Sequence, residues 1–147
     1  MESYRYCTPE WLEANAKAYP TKPEFHEAFA KLATKICFRV KAAPKWGLEE
    51  DVTFCAFMDY GDLQGLAFFS AEDAAQVADF VLAATPQVWK QVLRKEKKFV
   101  GEFMFGRITL DQGNKVGVLA IASYADAFVD ALTQFELQFP DEMTPEE

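Results

Sequence analysis

At 147 residues the chain is long enough for one domain with a substantial core and short for two, so 1–147 reads as a single unit. Half of it is hydrophobic and 15% aromatic, with 14 Phe as the one conspicuous excess. A formal net charge of −8, no apolar run long enough for a membrane span and a polar, acidic start exclude nucleic acid, anionic lipid surfaces, an integral membrane segment and a signal peptide, leaving a cytoplasmic protein as the expectation.

The first element is a helix opened by Thr8 as N-cap and Pro9 in the first turn, and stopped by Pro20. Thr21 repeats the device, and Phe25, Ala28, Phe29, Leu32 and Ala33 predict a second amphipathic helix over 22–34. Ile36, Phe38 and Val40 then alternate with Cys37, Arg39 and Lys41, the period of a strand, before a turn at 43–47. A second strand over 52–60 and a third over 65–70 form a hairpin through Gly61-Asp62-Leu63-Gln64. Ser70 with Glu72 and Asp73 starts a short helix over 71–77. Periodicity does not decide whether 79–85 extends that helix or forms a strand.

Pro86 starts a helix bearing Val88, Trp89, Val92 and Leu93, predicted to run through the basic cluster 94–98 into "FVGEFMFG". There Phe99 pairs with Phe103 and Val100 with Met104 at helical spacing, with Glu102 off the apolar face. Gly106 ends the helix, Arg107 to Asp111 alternate as a strand, and Gln112-Gly113-Asn114 is a turn. A short helical bridge spans 115–120. Ile121, Tyr124, Ala125, Phe128, Leu132, Phe135 and Phe139 predict a last helix ending at Pro140, with 140–147 as a frayed tail. Strands grouped in one sheet and helices packed on it describe an α+β domain.

Catalytic and metal chemistry find little support. Cys7, Cys37 and Cys55 are an odd number without CxxC spacing, and His26 is the sole histidine, so neither a disulfide framework nor a metal site is expected. Cys37 and Cys55 read as inert small hydrophobes in strands, and His26 as a solvated helix residue. Glu49-Glu50-Asp51 lacks calcium-loop spacing, and Gly61, Gly65, Gly113 and Gly117 fall in no phosphate-binding frame. The cluster Arg94, Lys95, Lys97 and Lys98 stands out in an acidic chain. It is either a solvated loop at a helix C-terminus or a contact for an anionic head group. The aromatic faces of three helices allow two readings, a solid core or an apolar ligand pocket.

The passage "ADFVLAATPQVWKQVL", followed by "FVGEFMFGRITLDQGNKVGVLAIASYADAFVDAL", resembles the sterol carrier protein type-two family, the nonspecific lipid-transfer proteins. The shared order is Ala78-Asp79 leading into a strand, Trp89 in the following helix, then Gly106-Arg107-Ile108-Thr109-Leu110, the Gly113 turn and an apolar C-terminal helix from Tyr124 to Phe135. The likeness covers 35–139 and leaves 1–34 as an N-terminal helical extension. It implies a strand at 79–85 and a five-stranded, largely antiparallel sheet covered on one face by helices. The turn at Asp111-Gln112-Gly113-Asn114 is longer than the family's, and the Phe content could narrow or fill its tunnel.

The resemblance further implies a lipid tunnel bordered by Phe99, Phe103, Met104, Phe128, Leu132 and Phe135, completed by Phe80, Leu82, Trp89, Leu93 and Leu119. Arg94, Lys97 and Lys98 are the head-group candidates. The expected activity is carriage of a sterol, fatty acid or acyl-CoA, without enzymatic function or cofactor. Nothing in the sequence excludes a homodimer. The rival expectations are an interaction module with a filled tunnel, and an accessory subunit to an enzyme acting on a hydrophobic substrate.

Overall fold

The computed structural model describes residues 2–142. The chain runs β1 (Ser3–Arg5), α1 (Pro9–Ala18), α2 (Pro23–Ala28), β2 (Ala33–Val40), β3 (Val52–Asp59), β4 (Asp62–Phe69), α3 (Ala71–Val77) and β5 (Phe80–Ala84). It continues α4 (Pro86–Leu93), α5 (Phe99–Met104), β6 (Thr109–Gln112), α6 (Lys115–Ile121), α7 (Ala125–Leu132) and β7 (Glu136–Gln138).

Strand alternation builds a five-stranded sheet in the order β4-β3-β2-β5-β6, antiparallel except for the β2–β5 pair. The α+β class, the five strands and a strand rather than helix at 80–84 are as expected. In register, Phe38 lies beside Phe54 on one side and Leu82 on the other, so these side chains share one face. That face carries the main core with Trp11, Phe29, Trp89 and Phe128 from the helices. Cys37 lies beside Cys55 and Val81, and α3 packs on this opposite face through Ala74.

Local chemistry sets the boundaries. Thr8 caps α1 by accepting the Trp11 amide and Ser70 caps α3 through Asp73, both as expected, and Thr85, just before the expected start at Pro86, caps α4 through Val88. The β3–β4 hairpin is tighter than expected, with only Tyr60 and Gly61 in the turn and Asp62 already in the strand. Both turn residues have positive φ, as a type I′ turn requires. A Cβ on Gly61 would stand 2.6 Å from the His26 carbonyl oxygen, so glycine is required there for space as well as for φ.

Four expected boundaries are corrected. The second helix stops at Ala28, because the Leu32 carbonyl accepts the Tyr60 amide and Ala33 pairs with Asp59; sheet pairing wins over the helical period. Thr21 does not cap it, since its hydroxyl donates to the Ala18 carbonyl. The α4 helix ends at Leu93 and does not run through the basic cluster, where Lys95 takes a positive φ and the Glu96 and Lys97 amides both donate to the Gln91 carbonyl. The last helix ends at Leu132: the Gln134 amide donates to Asn15 Oδ1, and the chain then enters β7.

The N-terminal segment is not helical throughout and is built into the domain. β1 pairs in parallel with β7, Trp11 Nε1 donates to the Leu132 carbonyl at 2.9 Å, and Trp11, Phe25 and Phe29 lie in the core. The tail expectation also changes for its first residues. Pro140–Glu142 is a 3-10 turn held by Lys90 to Asp141 and Glu142 and by Arg94 to Glu142; 143–147 lie outside the described residues.

The largest correction is covalent. Cys37 and Cys55 form a disulfide, contrary to the reading of both as free inert thiols, and Cys7 is the free cysteine. Odd count and spacing along the chain carry no information about a pair brought together by strand register. Among the described residues no helix is long and apolar enough to cross a membrane.

Candidate functional site

An apolar concavity lies between the helix-covered sheet face and the helices. Its floor is Ile36 and Phe38 of β2, Phe54 of β3 and Leu82 of β5. Its walls are Trp89, Val92 and Leu93 of α4, Phe99 of α5, Ile121 of α6 and Ala125, Phe128, Val129 and Leu132 of α7, with Tyr6 closing one side. The space is about 590 Å³ counted to its open mouth, and slender inside, with room for little more than water-sized guests along much of it.

No lining residue is charged. Trp89 Nε1 is already spent on the Arg39 carbonyl at 3.0 Å, which fixes the indole over the floor. Tyr6 brings the one hydroxyl of the lining and has no hydrogen-bond partner among the described residues. Burial pushes its pKa well above the usual phenol value, so it stays a neutral donor and acceptor.

Six expected residues line this cavity: Leu82, Trp89, Leu93, Phe99, Phe128 and Leu132. Five do not. The ring of Phe80 fills the notch over Gly113 and Gly117, where an added Cβ would approach it to 2.6 and 2.7 Å. Phe103 lies behind the wall, stacked on Phe99 with ring centroids 6.0 Å apart. Met104 and Leu119 turn to solvent, 55% and 41% exposed. Phe135 falls beyond the end of α7 and packs edge-on against Tyr4. The sequence did not point to Tyr6, Ile36, Phe38, Phe54, Val92, Ile121, Ala125 and Val129 as lining. For Ile36 and Phe38 strand alternation put both on one face without saying that this face receives the helices.

The α5 face is rotated from the expected one. Glu102, read as pointing outward, is 2% exposed, while Val100, Met104 and Phe105 face solvent. Arg107, following the Gly106 turn, folds back and donates from Nε and Nη2 to both Glu102 carboxylate oxygens at 2.9 and 2.6 Å. Its amide and that of Ile108 donate to the Glu102 carbonyl. This clamp holds α5, and with it Phe99, at the cavity.

The Arg107 hydrogen bonds hold the Glu102 pKa below the ordinary carboxylate range. A folded pKa below the unfolded one adds stability that is present above the unfolded pKa and is lost as pH falls through the folded one. Glu102→Gln is therefore expected to be less stable than wild type at neutral pH, with the difference shrinking in acid. Urea midpoints measured from neutral pH into the acid range check this; a difference independent of pH would assign the loss to packing.

The basic candidates divide. Arg94 is engaged by Glu142 and lies over the Phe139 ring, so it is not available as a head-group contact. Lys97 and Lys98, with Lys95, line a small groove that shares Val92, Phe99, Ala125 and Val129 with the main cavity. Lys95 and Lys98 meet Asp130 and Asp126 in exposed pairs at 2.8 and 3.8 Å, and Lys97 has no ion-pair partner among the described residues. His26 is exposed beside Asp62. Among the described residues no group of three or more His, Cys, Asp or Glu is placed to hold a metal.

No protein-family model matches the sequence, and no curated protein matches it. Solved structures do. The solution structure of a conserved hypothetical protein from Thermus thermophilus, suggested to be a sterol carrier protein, superposes with a TM-score of 0.78 at 21% identity, over 93% of this chain and 94% of that one. The crystal structure of sterol carrier protein 2 gives 0.68 at 24% identity, over 85% and 92%. The apo form of sterol carrier protein 2 from Yarrowia lipolytica gives 0.58 at 12% identity, over 86% and 89%. The chain has the sterol carrier protein 2 fold.

Proposed function

We propose that this chain, built on the sterol carrier protein 2 fold, is a carrier that binds a hydrophobic small molecule of the fatty acid, acyl-CoA or sterol class, and catalyses no reaction on it. The observation that carries this reading is the uncharged cavity bounded by Phe38, Phe54, Trp89, Phe99 and Phe128, apolar throughout except for one hydroxyl. Such a surface gains by covering apolar area, about 25 cal/mol per Å² removed from water. It offers no nucleophile, no acid–base pair and no metal ligand set for chemistry. Accessory roles beside an enzyme rest on the same fold and are separated from carriage by whether the isolated chain holds a ligand.

The deciding experiment is native mass spectrometry of protein purified without detergent, followed by denaturing extraction and by titration with a fluorescent fatty acid. A co-purifying hydrophobe, or saturable binding by the delipidated protein, is the expected result. Neither a bound species nor saturation would leave the fold as an interaction module with an unused cavity.

The groove lysines are proposed to steer an anionic head group. Lys97→Glu with Lys98→Glu should weaken fatty acid binding roughly fivefold at low ionic strength, the scale of exposed charge pairs, and less at high salt. Equal affinities at low salt would return both lysines to a solvated loop.

A further inference from the structure

The meeting of the two chain ends fixes Tyr6. Its amide donates to the Gln138 carbonyl at 2.9 Å, extending the β1–β7 pairing by one residue. Its side chain, 3% exposed, is gripped by the rings of Trp11, Trp46 and Phe139, with centroids 5.2, 6.4 and 5.3 Å away. None of these three lines the cavity, so they pack Tyr6 from outside and leave it bordering the cavity on its remaining side. Tyr6 also lies ahead of 35–139, the span whose sequence resembles the sterol carrier family, so this part of the lining is brought by the N-terminal segment.

Ring packing alone asks only for a phenyl group. The hydroxyl has no partner among the described residues, and a buried hydroxyl left without one is costly. Phe would fill the same place without that cost, and this chain uses Phe at 14 positions. Water gives poor relief, because a held water needs two or more polar partners. The other polar side-chain atom of the lining, Trp89 Nε1, is spent on the Arg39 carbonyl. The partner that satisfies Tyr6 therefore comes with the guest.

Resting on the carrier reading, we propose that Tyr6 is a specificity-determining residue whose hydroxyl bonds an uncharged oxygen, a hydroxyl or a carbonyl, carried by the hydrophobic guest. An oxygenated hydrophobe is then taken in preference to a hydrocarbon of the same shape. A carboxylate is the wrong group at this place, since the lining holds no charge to offset it. Anionic groups belong to the groove of Lys97 and Lys98, and Tyr6 is not part of that groove. The aromatic walls at Phe38, Trp89 and Phe99 present ring faces and edges, against which a flat ring packs well.

Tyr6→Phe removes the hydroxyl and keeps the ring. Delipidated wild type and variant are titrated with 2-naphthol and 2-methylnaphthalene, probes of one shape that differ by a hydroxyl against a methyl, with naphthalene fluorescence as the signal. Tyr6→Phe should weaken 2-naphthol by about fivefold, the scale of one neutral hydrogen bond, and leave 2-methylnaphthalene within about twofold. The urea midpoint of the variant should not fall, since the ligand-free protein gives the hydroxyl no partner to lose. A parallel change in both probes, or no change in either, overturns the specificity role and leaves carriage standing. So does a lowered midpoint or a variant that fails to fold, because the hydroxyl then has a partner inside the protein. Wild type that binds a fluorescent fatty acid but neither naphthalene also overturns it, and wild type that binds none of the three overturns the carrier reading as well.

Discussion

Reducing the Cys37–Cys55 disulfide is expected to lower stability by about 3 kcal/mol, because the bond closes a loop with a sequence separation of 18 and so restricts the unfolded chain. The two cysteines face each other in the β2–β3 register with Cα atoms 4.0 Å apart, and both are fully buried beneath α3. The folded hairpin holds them together with or without the bond, so the effect falls mainly on the unfolded state. With a urea dependence of about 2 kcal/mol per M, the midpoint should fall by roughly 1.5 M in reductant. Thiol titration in denaturant gives an independent check, since one reactive thiol, Cys7, is expected without reductant and three with it. Three thiols in protein that has never met reductant, or superimposable unfolding curves, would remove the bond from the account of stability. The Cys7 thiol should not compete in the folded protein, because burial pushes its pKa up to about 12 and keeps it protonated.

What the sequence could reveal followed from how local each feature is. The caps at Thr8 and Ser70, Pro86 in the first turn of α4 and the turn at Gly113 depend on neighbours a few residues away, and helix starts were legible from them. β1 and β7 are three residues each and exist only because the two ends of the chain meet, so no period along either segment could announce them. Phe135 continues the helical spacing of Phe128 and Leu132 perfectly well, yet Asn15, from α1, takes the Gln134 amide and draws the chain out of the helix. Glu102 was placed off the apolar face by helical spacing; its burial rests on Arg107, five residues on, brought back by the positive φ of Gly106. The cavity walls on α4 and α7 were legible from amphipathic spacing. Its floor was not, because β2 is apolar at both Phe38 and Cys37, and alternation alone does not say which face receives the helices.

Phe29→Ala and Phe99→Ala should give opposite results, although both remove one phenyl ring. Phe29 is 0% exposed and enclosed by Tyr19, Tyr124 and Phe128, with ring centroids 6.3, 6.1 and 4.9 Å away. Deleting its ring loses transfer energy and leaves a cavity that packed aromatics cannot collapse, a cost of about 3 to 5 kcal/mol. For a domain of this size that corresponds to a fall in Tm of about 10 °C or more. Phe99 borders a space that already exists and leans on Phe103, so its removal enlarges that space and forfeits few contacts. The expected cost to the ligand-free protein is about 1 kcal/mol, within the common range of single substitutions. Affinity should move the other way: Phe29→Ala, if folded, keeps fatty acid binding within about twofold, since Phe29 is absent from the cavity lining, while Phe99→Ala weakens it by about tenfold, the worth of a partly buried ring against a chain. Urea unfolding and calorimetric titration of each delipidated variant measure the two quantities separately. If Phe99→Ala costs as much stability as Phe29→Ala and binding is unchanged or absent in both, the space beside Phe99 is a packing defect in a solid core and the carrier function is wrong.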